Sequence, residues 1–121
     1  ADGDNGFAAA LEAHRHGAPS DAVAGYRGAT TRVPEHVDAW GNLCIARQAL
    51  GKGEEAVTAG RRALELRPDM AGHYLGLAAA LKSTGRIDEA RAALKQAIAL
   101  QPESAFAHIG LGNVLPRRRR R

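Results

Sequence analysis

The chain is poor in the residues that most often announce chemistry. Among its 121 residues are one cysteine, one methionine and one tryptophan, and aromatic residues make up 4% of the whole. With Cys44 alone, no intramolecular disulfide framework and no multicysteine zinc site can form within one chain. That is compatible with folding in a reducing, cytoplasmic setting. No apolar run approaches the roughly 20 residues needed to span a bilayer. The sequence as given opens without a basic segment followed by an apolar core, so no secretory leader is expected in it. The five histidines are scattered: His14 and His16 flank Arg15, and His36, His73 and His108 stand far apart. Neither a paired-histidine metalloprotease signature nor a phosphate-cradling glycine loop is present, so no metal or cofactor is implied.

Charge is equally sparing once it is located. The formal charge of +4 invites a nucleic-acid reading. Five of the positive charges, however, are Arg117 to Arg121, and residues 1–116 hold twelve Lys or Arg against thirteen Asp or Glu. The body of the chain is therefore not basic. Without aromatic residues interleaved among the arginines, sequence-specific recognition of nucleic acid is not expected. The tail at 117–121 reads as a disordered or added end, and its alternative is a salt-sensitive contact with nucleic acid or an acidic membrane.

What the chain has is alanine, and a period. Pro34, Pro68 and Pro102 lie 34 residues apart, and the same step joins Gly17, Gly51 and Gly85, then Ala22, Ala56 and Ala90, then Ala29, Ala63 and Ala97. Trp40 falls in register with Tyr74, and Leu43 with Leu77 and Leu111. Registers shared by several unrelated residue types mean that equivalent helices solve one packing problem repeatedly. A length of 121 residues accommodates such an array or one small domain.

Residues 37–70 make the clearest unit. Its first segment runs from Val37 to Leu50 and sets Trp40, Leu43, Cys44 and Arg47 on related turns; its second, Glu54 to Leu66, does the same for Ala56, Gly60, Ala63 and Leu64. Gly51 accommodates the turn between two antiparallel helices, and Pro68 stops the second. Residues 71–104 repeat the plan, with Tyr74, Leu77, Ala78 and Leu81 on one helix and Ala90, Leu94, Ala97 and Ile98 on the other. Residues 3–36 form a less regular first unit in which Gly3 and Gly6 are expected to fray the opening turn. A partial unit at 105–115 supplies one further helix before Pro116. The fold class predicted is all-α, with residues 1–116 forming the repeat domain.

These positions resemble the tetratricopeptide repeat family: small Ala10, Cys44, Ala78 and Gly112, then Ala22, Ala56 and Ala90, and the regular prolines. The resemblance covers residues 3–115 and implies a right-handed superhelical solenoid of antiparallel helix pairs, three repeats plus a closing helix. It further implies a non-catalytic scaffold that binds a peptide or partner protein in its concave groove. By that resemblance the groove collects Phe7, Leu11 and Arg15, then Asp38, Ile45 and Gln48, then Leu75 and Lys82, then Ile109 and Asn113. Asp4, His14, Gly41, Ala49, Gly72, Ala79, Ser83 and Phe106 share that face. Apolar members suit an amphipathic or extended peptide, and Arg15, Gln48 and Lys82 orient polar groups.

One subgroup of that family clamps an acidic carboxyl terminus with lysine, arginine and asparagine side chains. Asn42 falls at a clamp asparagine site, but Phe7 and Leu11 occupy the first-unit lysine and asparagine sites, and Gly72 and Gly76 replace the third-unit basic pair. Glycine supplies no charge-assisted bond, so the clamp is not expected here. Other features have local explanations: Cys44 stands where a small packed side chain is required, and Glu54, Glu55, Asp88 and Glu89 lie near helix starts, where acidic charge is favourable. Two further readings stay open. The chain could be the docking part of a larger enzyme, or its terminal helix could expose an apolar side that pairs with a second copy.

Overall fold

The computed structural model describes the backbone of residues 2–114 and the side chains of residues 6–112. Among the described residues it contains seven helices: α1 (Asp2–Arg15), α2 (Pro19–Arg32), α3 (Val37–Ala49), α4 (Gly53–Leu66), α5 (Ala71–Ser83), α6 (Ile87–Leu100) and α7 (Ala105–Val114). The two helices expected at 37–50 and 54–66 are found to within a residue as α3 and α4. The opening turn, expected to fray, is helical from Asp2 through Gly3 and Gly6. The terminal arginines lie outside the described residues.

Each odd helix turns into the next even helix by the same device. Gly17, Gly51 and Gly85 have φ of 76°, 76° and 82°, a left-handed conformation that a Cβ disfavours. Around Gly51 the glycine N–H donates to the Gln48 carbonyl at 3.0 Å and the Lys52 N–H to the Arg47 carbonyl at 2.9 Å, which satisfies the last carbonyls of α3. The other two turns bond in the same pattern. Starts are less uniform: His36 Nδ1 accepts from the Ala39 N–H at 3.3 Å to cap α3, and Ser104 Oγ accepts from the Ala107 N–H at 3.2 Å to cap α7.

Packing is sequential. Each helix lies against the next, and in addition α3 packs on α5 and α5 on α7, whereas no comparable packing joins the even helices. Closer approach along the odd helices puts them on the inside of a curved stack. Alanine makes the close approach possible: Ala22, Ala56 and Ala90 are fully buried where paired helices meet, as are Ala29, Ala63 and Ala97. Tyr26, Leu43, Cys44 and Leu81 are the largest fully buried side chains. Two ion pairs span neighbouring helix pairs, Arg61 with Glu89 at 2.6 Å and Arg86 with Glu54 at 2.8 Å. Two of the acidic residues near helix starts therefore tie units together.

Candidate functional site: the face of the odd helices

The inner face begins from which side chains the packing leaves over. Positions three and four residues apart on α3 and α5 turn toward their paired even helices and are buried, which leaves the intervening residues on the open side. Ile45 on α3 is 48% exposed, and Phe106 and Ile109 on α7 are 81% and 63% exposed. Large apolar groups are thus held in water on α3 and α7, at the two ends of a lane along the odd helices. Leu75, between them on α5, is half-buried and packs against both core clusters.

Two cavities open beneath the lane. The larger, about 270 Å³, lies where α5, α6 and α7 meet; Leu75, Ala78, Ala79, Leu94, Phe106 and Gly110 line it, and Lys82 is the only charged lining residue among the described residues. The smaller, about 190 Å³, lies among α3, α4 and α5 and includes Gly41, Cys44, Gly60, Gly72 and Gly76. It is the larger cavity's counterpart one period earlier: Gly60 stands in register with Leu94, and Gly72 and Gly76 with Phe106 and Gly110. The Cys44 Sγ lies 3.2 Å from where a Gly60 Cβ would be.

Electrostatics on this face are set by burial and a few charges. The His73 imidazole covers Gly41, so that a Cβ added there would meet the ring at 2.5 Å. Its Nε2 is buried and makes no hydrogen bond. Burial holds the imidazole below its ordinary value of 6.5, the nearby Asp38 carboxylate opposes that shift, and the Arg67 guanidinium adds to it. Burial also pushes the Cys44 thiol up to about 11, partly offset by Arg47 and by a backbone hydrogen bond at Gly60, which leaves it a packed, protonated side chain at neutral pH. Among the described residues no group of three or more His, Cys, Asp or Glu is placed to hold a metal ion. No helix among them is long and apolar enough to cross a membrane.

The residues expected in the groove are distributed unevenly along it. Phe7 is half-buried, its ring 5.9 Å from Tyr26 and 4.5 Å from His36, so at the first unit the face is closed by aromatic packing. Leu11 is half-buried against the same core. Arg15 is exposed and donates to Glu12 at 2.7 Å. Asp38 and Lys82 are exposed. Gln48 donates from Nε2 to the Ala79 carbonyl at 3.2 Å and so stitches α3 to α5, while its Oε1 is buried without a partner. Asn113 lies in α7, and its side chain is outside those described, as is that of Asp4. The structure thus brings together Leu75, Lys82 and Phe106 around one cavity, with Ile45 and Ile109 also exposed on the odd helices, and sets Phe7 and Leu11 apart as packing residues at the other end. His36 and His73, which cover Phe7 and Gly41, had no role in the sequence reading. They are 37 residues apart rather than 34, so the period does not reveal that both cover this face.

Helix pairs joined by identical turns and stacked along one curved axis define a helical-repeat protein. Tetratricopeptide repeat models match residues 7–71 and residues 49–110, and the chain belongs to that family. Among solved structures, the Arabidopsis OM64 TPR domain superposes with a TM-score of 0.90 at 19% identity over 93% of each chain. The first TPR domain of Spaghetti (RPAP3), bound to the HSP90 peptide SRMEEVD, gives 0.90 at 18% identity over 93% of this chain and 90% of that one. A mutant of the Thermobaculum terrenum O-GlcNAc transferase gives 0.86 at 25% identity, with 93% of this chain aligned to 22% of the enzyme. The first two establish a shared tetratricopeptide solenoid fold. No curated protein sequence matches the chain significantly.

Proposed function

We propose that this protein is a non-catalytic interaction scaffold that binds a peptide or partner protein along the face of its odd helices. The observation that supports the reading is exposure: Ile45, Phe106 and Ile109 hold large apolar surface in water on odd helices. Exposed apolar anchors next to cavities are what a partner's side chains fill. The units 3–36, 37–70 and 71–104, with the helix at 105–115, serve in this reading as platforms for successive contacts. Membership of a repeat family built for such surfaces supports it.

The test is affinity capture with the wild-type chain and with an Ile45→Asp/Ile109→Asp double variant. Leu75 is a poorer place for a charge, because its half-buried side chain supports both core clusters. Partners are expected to be retained by the wild type and lost, by more than about 1 kcal/mol in affinity, from a double variant whose helical content is unchanged. Retention of the same partners by the double variant refutes the assignment, and dependence on residues 117–121 alone points to the arginine tail. A second reading, a docking segment of a larger enzyme, draws on the alignment with part of the O-GlcNAc transferase. It predicts that captured partners include substrates of a catalytic domain.

A further inference from the structure

The cavity among α5, α6 and α7 allows the ligand itself to be described, and the description rests on the scaffold reading above. At about 270 Å³ it falls short of the roughly 300–1,000 Å³ typical of sites for whole small molecules. It is the right scale for one anchoring side chain. Its walls are apolar, and Phe106, mostly in solvent, stands beside the mouth as a face for that anchor to lie against. Among the described residues Lys82 is the only charged one that lines it, makes no ion pair and meets no acidic lining residue.

We propose that this cavity takes a large apolar side chain from an internal peptide segment, and that an Asp or Glu within two residues of the anchor pairs with Lys82. A single ammonium is a compact point charge that one carboxylate neutralises. Gly72 and Gly76, on the same helix, add no cation. The recognition therefore reads an acidic side chain and does not need a free carboxyl terminus. A second copy of this chain fits less well. Seating each Phe106 in the other copy's cavity would also bring the two Lys82 ammoniums to the same rims, and like charges oppose such a pairing.

An array of decapeptides with acetylated and amidated ends, probed with the purified chain, tests this. Each peptide carries one central Leu, Ile, Met or Phe, with Asp, Asn or Lys one or two positions away. The expected result is selection of the acidic set over the matched Asn set by about two- to five-fold at low salt, lost at high salt, as an exposed ion pair dictates. Lys82→Glu is expected to turn the preference toward the Lys set. Ala79→Leu, at an exposed position that lines the cavity, should fill the space and cut binding of every peptide. Equal binding of the acidic and Asn sets, or an unchanged preference in Lys82→Glu, overturns the proposal. So does binding that appears only with a free carboxyl terminus, or a doubled mass in light scattering that Phe106→Ala abolishes. Partners lost from the Ile45→Asp/Ile109→Asp variant in the face of such a result leave the scaffold standing and remove only this ligand. Partners retained by that variant, with no peptide bound, remove both.

Discussion

Gly51→Ala and Gly72→Ala make the same chemical change in equally open surroundings, and they should move stability in opposite directions. No heavy atom lies within 4 Å of an added Cβ at either position, so sterics with neighbouring groups are not the issue. Gly51 sits at φ of 76°, where an L side chain crowds its own backbone at a cost of about 1–2 kcal/mol. Gly72 lies in the first turn of α5, where alanine gains up to about 1 kcal/mol through helix propensity and a less free unfolded chain. The two variants should therefore differ by about 1–3 kcal/mol, the sum of these opposing effects. With a urea dependence of about 1–3 kcal/mol per molar, the midpoints separate by roughly 1 M in titrations followed by circular dichroism. Gly51→Asn should recover part of the loss, since asparagine tolerates the left-handed region. Equal midpoints for Gly51→Ala and Gly72→Ala would refute the view that the three turns, and not the space around them, are what the recurring glycine serves.

Other expectations follow from particular side chains. Because the folded state holds His73 below its unfolded value of 6.5, the unfolded chain binds its proton first as pH falls. The stability associated with neutral His73 is present above about pH 6.5 and is lost as pH drops toward the folded-state value, so His73→Asn should flatten that part of a stability-against-pH profile. Cys44, fully buried with its thiol pushed up to about 11, should react with a disulfide reagent at pH 8 only as fast as the fold opens, and urea should release it. Tyr26→Ala empties a fully buried ring site and should cost about 3–5 kcal/mol, whereas Tyr26→Phe, which loses only the 3.1 Å contact with His14, should cost about 0.5–1.5 kcal/mol by urea titration. Breaking the exposed Arg61–Glu89 pair by Arg61→Ala should cost no more than about 1 kcal/mol.

Much of the architecture was legible because a solenoid repeats its local solutions. The recurrence of Gly17, Gly51 and Gly85 located three turns, and the buried alanines at 22, 56 and 90 located the helix contacts. Each depends on backbone and neighbours a few residues away, which a period records faithfully. The face was less legible. Residues equivalent in the period, Phe7, Gly41, Leu75 and Ile109, behave differently: Phe7 and Leu75 pack, Gly41 lies under His73, and Ile109 is open to solvent. The period assigns them one direction, but how much water each sees depends on the side chains that arrive from the next helix.

By itself the sequence determined an all-helical repeat, its turns and its register, and it located the charge excess in the last five residues. Spacing and composition suffice for that, because helix geometry and left-handed turns are local properties. Only the tertiary structure decided that the apolar lane is open toward α7 and closed at Phe7 and His36, and that Lys82 stands at the rim of an apolar cavity. Those outcomes depend on how far one helix pair is offset from the next, and that offset is the sum of many contacts no single position in the period contains.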